Sequence, residues 1–259
     1  MKNTITKTRN YIIDLFKIFS MFMVVIIHVF NGVILGCTPG TANEYIAIFL
    51  ETSVLTAVNC FALSSGFILI NVKYKFSRII YMWFQVVFYS VLISAFFFIL
   101  FPTTCSKGTM LQSFFPVLSA NRYWYFSAYF VLFLLMPYIN ILLNSITQKH
   151  HLILNIILFV VFSIFPTIAF TNSTYFTYQG YSAFWLMVIY VWGAYFGKYG
   201  INTKFTHDIL AFAICTAVAF LDRFEFFMSD LPILSNIAKT LKLANYDSQT
   251  LVIDSIAIL

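Results

Sequence analysis

An ionisable side chain inside a run of apolar residues is costly and rarely idle. The stretch YIIDLFKIFSMFMVVIIHVFNGVIL, from Tyr11 to Leu35, carries three: Asp14, Lys17 and His28. At about 100° per residue, the step from Lys17 to His28 returns to within about 20° of its start, and Asp14 lies about 40° beyond. The three therefore share one helix face. Met21, Val24, Asn31 and Gly32 lie near the same stripe, while Leu15, Ile18, Phe22, Val25, Ile26 and Val29 occupy the rest. An imidazole is suited to taking a proton near neutral pH, and an ammonium to holding an anion. Lys17 and His28 stand about 16 Å apart along the axis and cannot touch. A shared role would thus join two ends of one path across a membrane, with His28 at the outer reaction point and Lys17 near an inner mouth. The structural alternatives are that Lys17 snorkels to an interface and pairs with Asp14, and that neutral His28 makes one interhelical hydrogen bond.

A base needs a fixed tautomer and a partner for the proton it takes. Glu51 and Asp254 are acids at a comparable depth in apolar segments. Either could orient His28 and stabilise its imidazolium, or both could sit near the interface, partly wetted. A second cluster, NCFALSSGFILINVKYKFSRIIYMWFQ, runs from Asn59 to Gln85. Its Ser64, Ser65 and Gly66 allow close backbone approach and interhelical hydrogen bonds. Lys73, Lys75 and Arg78 follow as a compact basic loop, suited to phosphates or serving as a topology signal. Gln85 could line the same inner cavity or make a packing hydrogen bond. The segment Arg122-Tyr-Trp-Tyr could bind sugar by stacking and charge, or form an interfacial aromatic belt.

These residues need a scaffold, and composition defines its class. Of 259 residues, 61% are hydrophobic, 20% aromatic and only 9% charged, too little polar surface for a soluble domain. The reading is all-α, a polytopic transmembrane helix bundle forming a single domain over 1–259. Apolar windows predict spans at 11–35, 46–71, 79–101, 123–145, 152–171, 181–199 and 207–227. That makes seven complete spans, and an eighth begins near 250 and stops at Leu259, so the chain reads as lacking the last helices of a longer bundle. The first span follows a polar basic head without a small-residue cleavage site, which argues for a retained helix. With the N-terminus inside, inner loops carry nine Lys and Arg against five outside, which predicts a cytoplasmic N-terminus. The net charge of +6 sits mostly in these short loops, which points to topology and away from nucleic acid. Cys37, Cys60, Cys105 and Cys215 show no CxxC spacing, so no metal site is expected. Cys37 and Cys105 fall in loops on the same side, which permits a disulfide.

The segments DLFKIFSMFMVVIIHV, NCFALSSGF with Lys75 and Arg78 downstream, RYWYFSAYFVLFLLMPYIN and WGAYFGKYG together resemble the membrane acyltransferase 3 family over nearly the whole chain. The family pattern of a basic residue followed, after ten others, by His falls on Lys17 and His28. Its small-residue motif falls on Ser65 and Gly66, and its basic motif on Lys75 and Arg78. The resemblance implies a bundle of about ten helices in the plasma membrane that transfers an acetyl or other acyl group from cytoplasmic acyl-CoA to a hydroxyl of a cell-surface glycan. His28 would then be the general base, with Glu51 or Asp254 beside it. Lys17, Lys75 and Arg78, with Ser65 and Gly66, would hold the CoA. Acetyl-CoA would be a co-substrate, with no permanently bound cofactor, and membrane lipids would be the surrounding partner. A transporter or flippase of a lipid-linked sugar is the alternative, with Lys17 and His28 lining its path.

Overall fold

The fold is that of a computed structural model, which describes residues 11–101, 106–119, 123–169, 177–200, 203–225 and 245–259. Among the described residues every regular element is helical. In chain order these are α1 (Tyr11–Gly36), α2 (Ala42–Val54), α3 (Ala57–Leu69), α4 (Ser77–Leu100), α5 (Lys107–Ser113), α6 (Trp124–Ser145) and α7 (Gln148–Phe159). A π-helical turn (Val160–Ile164), α8 (Phe165–Ala169), a 3-10 turn (Tyr178–Gly180), α9 (Ala183–Tyr199), α10 (Phe205–Glu225) and α11 (Gln249–Ile258) follow. The chain is thus an all-α, multi-pass membrane bundle.

Among the described residues, six segments are long and apolar enough to cross a bilayer: Tyr11–Gly36, Ala42–Leu69, Ser77–Leu100, Trp124–Ser145, Gln148–Thr167 and Phe205–Arg223. The sixth expected span, at 181–199, is helical but shorter. α9 has 17 residues, a rise of about 25 Å against a hydrocarbon core of about 30 Å. Its role is interior. Trp185, Leu186, Ile189, Tyr190 and Ala194 are almost wholly buried, as expected of a helix apolar on every side. α1 and α4 lie at the periphery and show Ile18, Phe22, Phe88 and Phe96 to the outside. α5, a short helix beside α4, was not visible as a span because it has only 7 residues.

Glycine sets the central contact. A Cβ on Gly66 of α3 would stand 2.1 Å from the Tyr190 carbonyl oxygen, and one on Gly193 of α9 would stand 2.0 Å from the Leu63 carbonyl oxygen. Only residues without a side chain let the two backbones meet so closely. Polar side chains finish the joint. Asn140 of α6 donates to the Leu69 carbonyl at 3.0 Å and accepts from the Tyr190 hydroxyl at 2.8 Å, so it ties α3, α6 and α9 together. His151 of α7 donates from Nε2 to the Val191 carbonyl at 3.1 Å.

The second span is broken at Leu55–Thr56. Thr52 and Ser53 turn their hydroxyls back onto the Ile48 and Phe49 carbonyls, which loosens a helix. Thr56 at the break donates to the Leu251 carbonyl at 3.2 Å and bonds Ser255, so α11 docks where the span bends. The fifth span changes pitch at Val160–Ile164, just ahead of Pro166, which has no N–H to offer the preceding turn.

Candidate functional site

The polar stripe of α1 faces a cavity of about 790 Å³, which Met21, Val24, Ile27, His28, Asn31 and Gly32 line on one side. From Gly32 to Met21 the cavity follows about 16 Å of the helix axis. His28 Nδ1 lies 2.9 Å from the Val24 carbonyl oxygen. A carbonyl only accepts, so Nδ1 carries a proton, and in the neutral ring the lone pair is on Nε2. The tautomer that a general base requires is therefore set by α1's own backbone.

Facing His28 is a wall of aromatic rings. Trp124 and Tyr181 have centroids 4.6 Å apart, Tyr181 and Tyr246 5.0 Å, and Trp124 stacks over Tyr246 at 6.2 Å. The Tyr246 backbone is anchored by α3. Asn59 of α3 donates to the Tyr246 carbonyl at 2.8 Å and accepts from Trp185 Nε1 at 3.0 Å. Gly180, at φ +88°, lets the 3-10 turn pass beside Tyr246, where a Cβ would stand 2.3 Å from the Tyr246 Cβ. Burial first, then the neighbouring Tyr181, pushes the Tyr246 hydroxyl well above its ordinary pKa, so it remains a donor. The Tyr125 hydroxyl, in the same cavity wall, is buried and has no hydrogen-bond partner among the described residues.

Glu51 and Asp254 engage other partners than His28. Glu51 Oε2 lies 2.7 Å from Arg223 Nη1 of α10, and Arg223 also donates to the Thr52 hydroxyl at 3.3 Å. Asp254 accepts from the Thr216 hydroxyl at 3.4 Å. Arg223 belongs to α10 and reaches inward to Glu51. The ion pair lines a smaller chamber of about 280 Å³ that shares Ile27, Asn31, Tyr181 and Tyr246 with the His28 cavity.

The residues expected to hold the acyl donor divide into two groups. Lys17 is half-buried one turn beyond Met21, with Asp14 near enough to attract its ammonium. Lys75 and Arg78 are exposed at the same end of the bundle. Ser65 and Gly66 instead form part of the α3 joint: Ser65 donates to the Phe61 carbonyl at 2.8 Å and bonds the Tyr129 hydroxyl at 3.0 Å. Gln85 lines a separate groove along α4 with Ser90, Ser94 and Tyr123. Arg122 and Cys105 lie outside the described residues, and Cys37 is a free thiol.

Tyr181, Tyr246, Gln179 and Asn245 join the site without any local signal in the sequence. Arg223 did carry one, a cation inside an otherwise apolar window.

The structure is thus a multi-pass helix bundle in which an imidazole on α1 and an aromatic wall border one cavity. The family model described as an acyltransferase domain, that of the acyltransferase 3 family, matches residues 10–259. The chain belongs to that family and is a membrane acyltransferase domain. No curated protein matches the chain, and no solved structure does.

Proposed function

We propose that this protein transfers an acetyl or other acyl group from acyl-CoA to a hydroxyl of a cell-surface glycan, across the plasma membrane and with its N-terminus in the cytoplasm. The observation that carries this reading is the His28 geometry: a ring whose Nδ1 is anchored on Val24 and whose Nε2 remains basic in a chamber walled by Trp124, Tyr181 and Tyr246. Flat aromatic faces suit sugar rings, and a basic nitrogen suits a hydroxyl nucleophile.

In the proposed reaction, Nε2 takes the acceptor hydroxyl proton as that oxygen attacks the thioester carbonyl. The C–O bond forms, the C–S bond breaks, and the proton passes to the departing CoA sulfur. The partnerless Tyr125 hydroxyl is a donor for the oxyanion that develops. Lys75 and Arg78 hold the CoA phosphates at the cytoplasmic end, and Lys17 lies at the start of the path to Met21. The orientation rests on charge: among the described residues Lys73, Lys75, Arg78, Lys149, Lys198 and Lys204 fall at the Lys17 end, against Lys107 and Arg223 at the other.

The test supplies radiolabelled acetyl-CoA to the cytoplasmic face of sealed vesicles and follows label into surface glycan on the opposite face. Label in the glycan as an ester supports the reading. Passage of unmodified sugar without acetyl-CoA turnover would replace it with the transporter.

A further inference from the structure

The chamber beside the His28 cavity differs from it in kind. Its lining includes Asn31, Glu51, Gln179, Arg223 and Asn245, together with Tyr181 and Tyr246. Asn31 is one turn from His28 on α1 and borders both spaces, so the chamber adjoins the His28 cavity about one helical turn along α1 from His28. At about 280 Å³ the space is at the small end of ligand pockets and fits one ring better than a chain.

Its electrostatics are unusual for a sugar pocket that holds an arginine. Glu51, 3% exposed, sits 2.7 Å from Arg223 Nη1, and among the described residues these are the only two charges in the lining. The guanidinium is thereby neutralised, yet among the described residues only its Nη1 is engaged, with Glu51 and Thr52. Its Nη2 and Nε remain as donors, and the amides of Asn31, Gln179 and Asn245 supply donors and acceptors in equal measure. Gln179 is held at φ +61°, a conformation that a residue with a side chain adopts only when its surroundings impose it. A carboxylate or phosphate brought here would meet Glu51 as a like charge with no spare cation among the described residues, whereas vicinal hydroxyls would meet a fork of donors and neutral amides.

We infer that the Glu51–Arg223 chamber is the acceptor-recognition subsite and selects an uncharged sugar ring, whose reacting hydroxyl it presents across Asn31 to His28. This rests on the glycan acyltransferase reading above. Arg223 binds the ring, and Glu51 acts as a positioning and charge-selecting residue by holding Arg223.

The experiment measures acetyl transfer from acetyl-CoA, in membranes bearing the full chain, to matched oligosaccharides built from neutral hexose, N-acetylhexosamine or hexuronic acid. The wild type is expected to acylate the neutral acceptors with a kcat/KM on the order of tenfold above the uronate. Glu51→Gln frees the guanidinium charge and is expected to move that ratio on the order of tenfold toward the uronate, a gain that a misfolded variant could not produce. Arg223→Gln is expected to raise the acceptor KM while leaving the KM for acetyl-CoA in place. A wild type that prefers the uronate, or a ratio that Glu51→Gln leaves unmoved, overturns the subsite and leaves the acyltransferase reading standing. Transfer to no sugar in the set overturns that reading, and the subsite with it.

Discussion

His28 Nδ1 and the Val24 carbonyl oxygen, 2.9 Å apart, make a hydrogen bond within a single helix turn. The base candidate carries its own orienting group, and a neighbouring carboxylate is not needed to choose its tautomer. Glu51 is engaged with Arg223 and Asp254 with Thr216, which fits this arrangement.

His28→Ala is expected to reduce acetyl transfer by about 10²- to 10⁴-fold, the usual contribution of a positioned general base. The Val24 carbonyl keeps its place in the helix ladder, so expression and melting temperature should hold. Transfer assays at matched protein levels check this, and normal transfer would remove His28 from the chemistry.

Lys75→Ala/Arg78→Ala changes two exposed side chains. Stability should move by no more than about 0.5 kcal/mol, as for most surface changes. The KM for acetyl-CoA is expected to rise on the order of tenfold, about 1.4 kcal/mol of lost phosphate contact. Initial rates across an acetyl-CoA series check this prediction, and an unchanged KM would count against the basic loop as the donor site.

Gly66→Ala puts a Cβ 2.1 Å from the Tyr190 carbonyl oxygen and 2.7 Å from the Ala194 nitrogen. Both are backbone atoms of α9, so the helices must separate, at a cost of about 1–3 kcal/mol or more. Gly36→Ala is the comparison, since its added Cβ meets nothing within 4 Å. Thermal unfolding in detergent should show a large loss for the first and none for the second.

Asn59→Ala removes the donor to the Tyr246 carbonyl and the acceptor of the Trp185 indole. Each buried group left unpaired costs about 1–3 kcal/mol. The aromatic wall should loosen as well, so the acceptor KM is expected to rise along with the loss of thermal stability. A stable variant with unchanged acceptor kinetics would show that Tyr246 is held by other means.

The polar stripe from Lys17 to Gly32 was legible in the sequence because helical periodicity is local. Five of its members, Met21, Val24, His28, Asn31 and Gly32, do line one cavity. The apolar windows were legible for the same reason, since spanning a bilayer demands a run of about 20 apolar residues whatever their partners. Gly66 was recognised as a point of close approach, but not the helix it would meet. That Gly66 meets Tyr190, that Asn140 ties three helices, and that Glu51 turns to Arg223 are consequences of packing between segments far apart in the chain; Thr52 and Arg223 alone are 171 positions apart. In lipid the apolar faces of helices are nearly interchangeable, so small residues and polar side chains decide which helices meet. The sequence by itself determined a membrane bundle and the face of α1 on which chemistry can occur. Only the tertiary structure decided what stands opposite that face, because the aromatic wall forms where α3, α6 and the Tyr181 and Tyr246 segments converge, and the neutralised guanidinium where α10 meets α2.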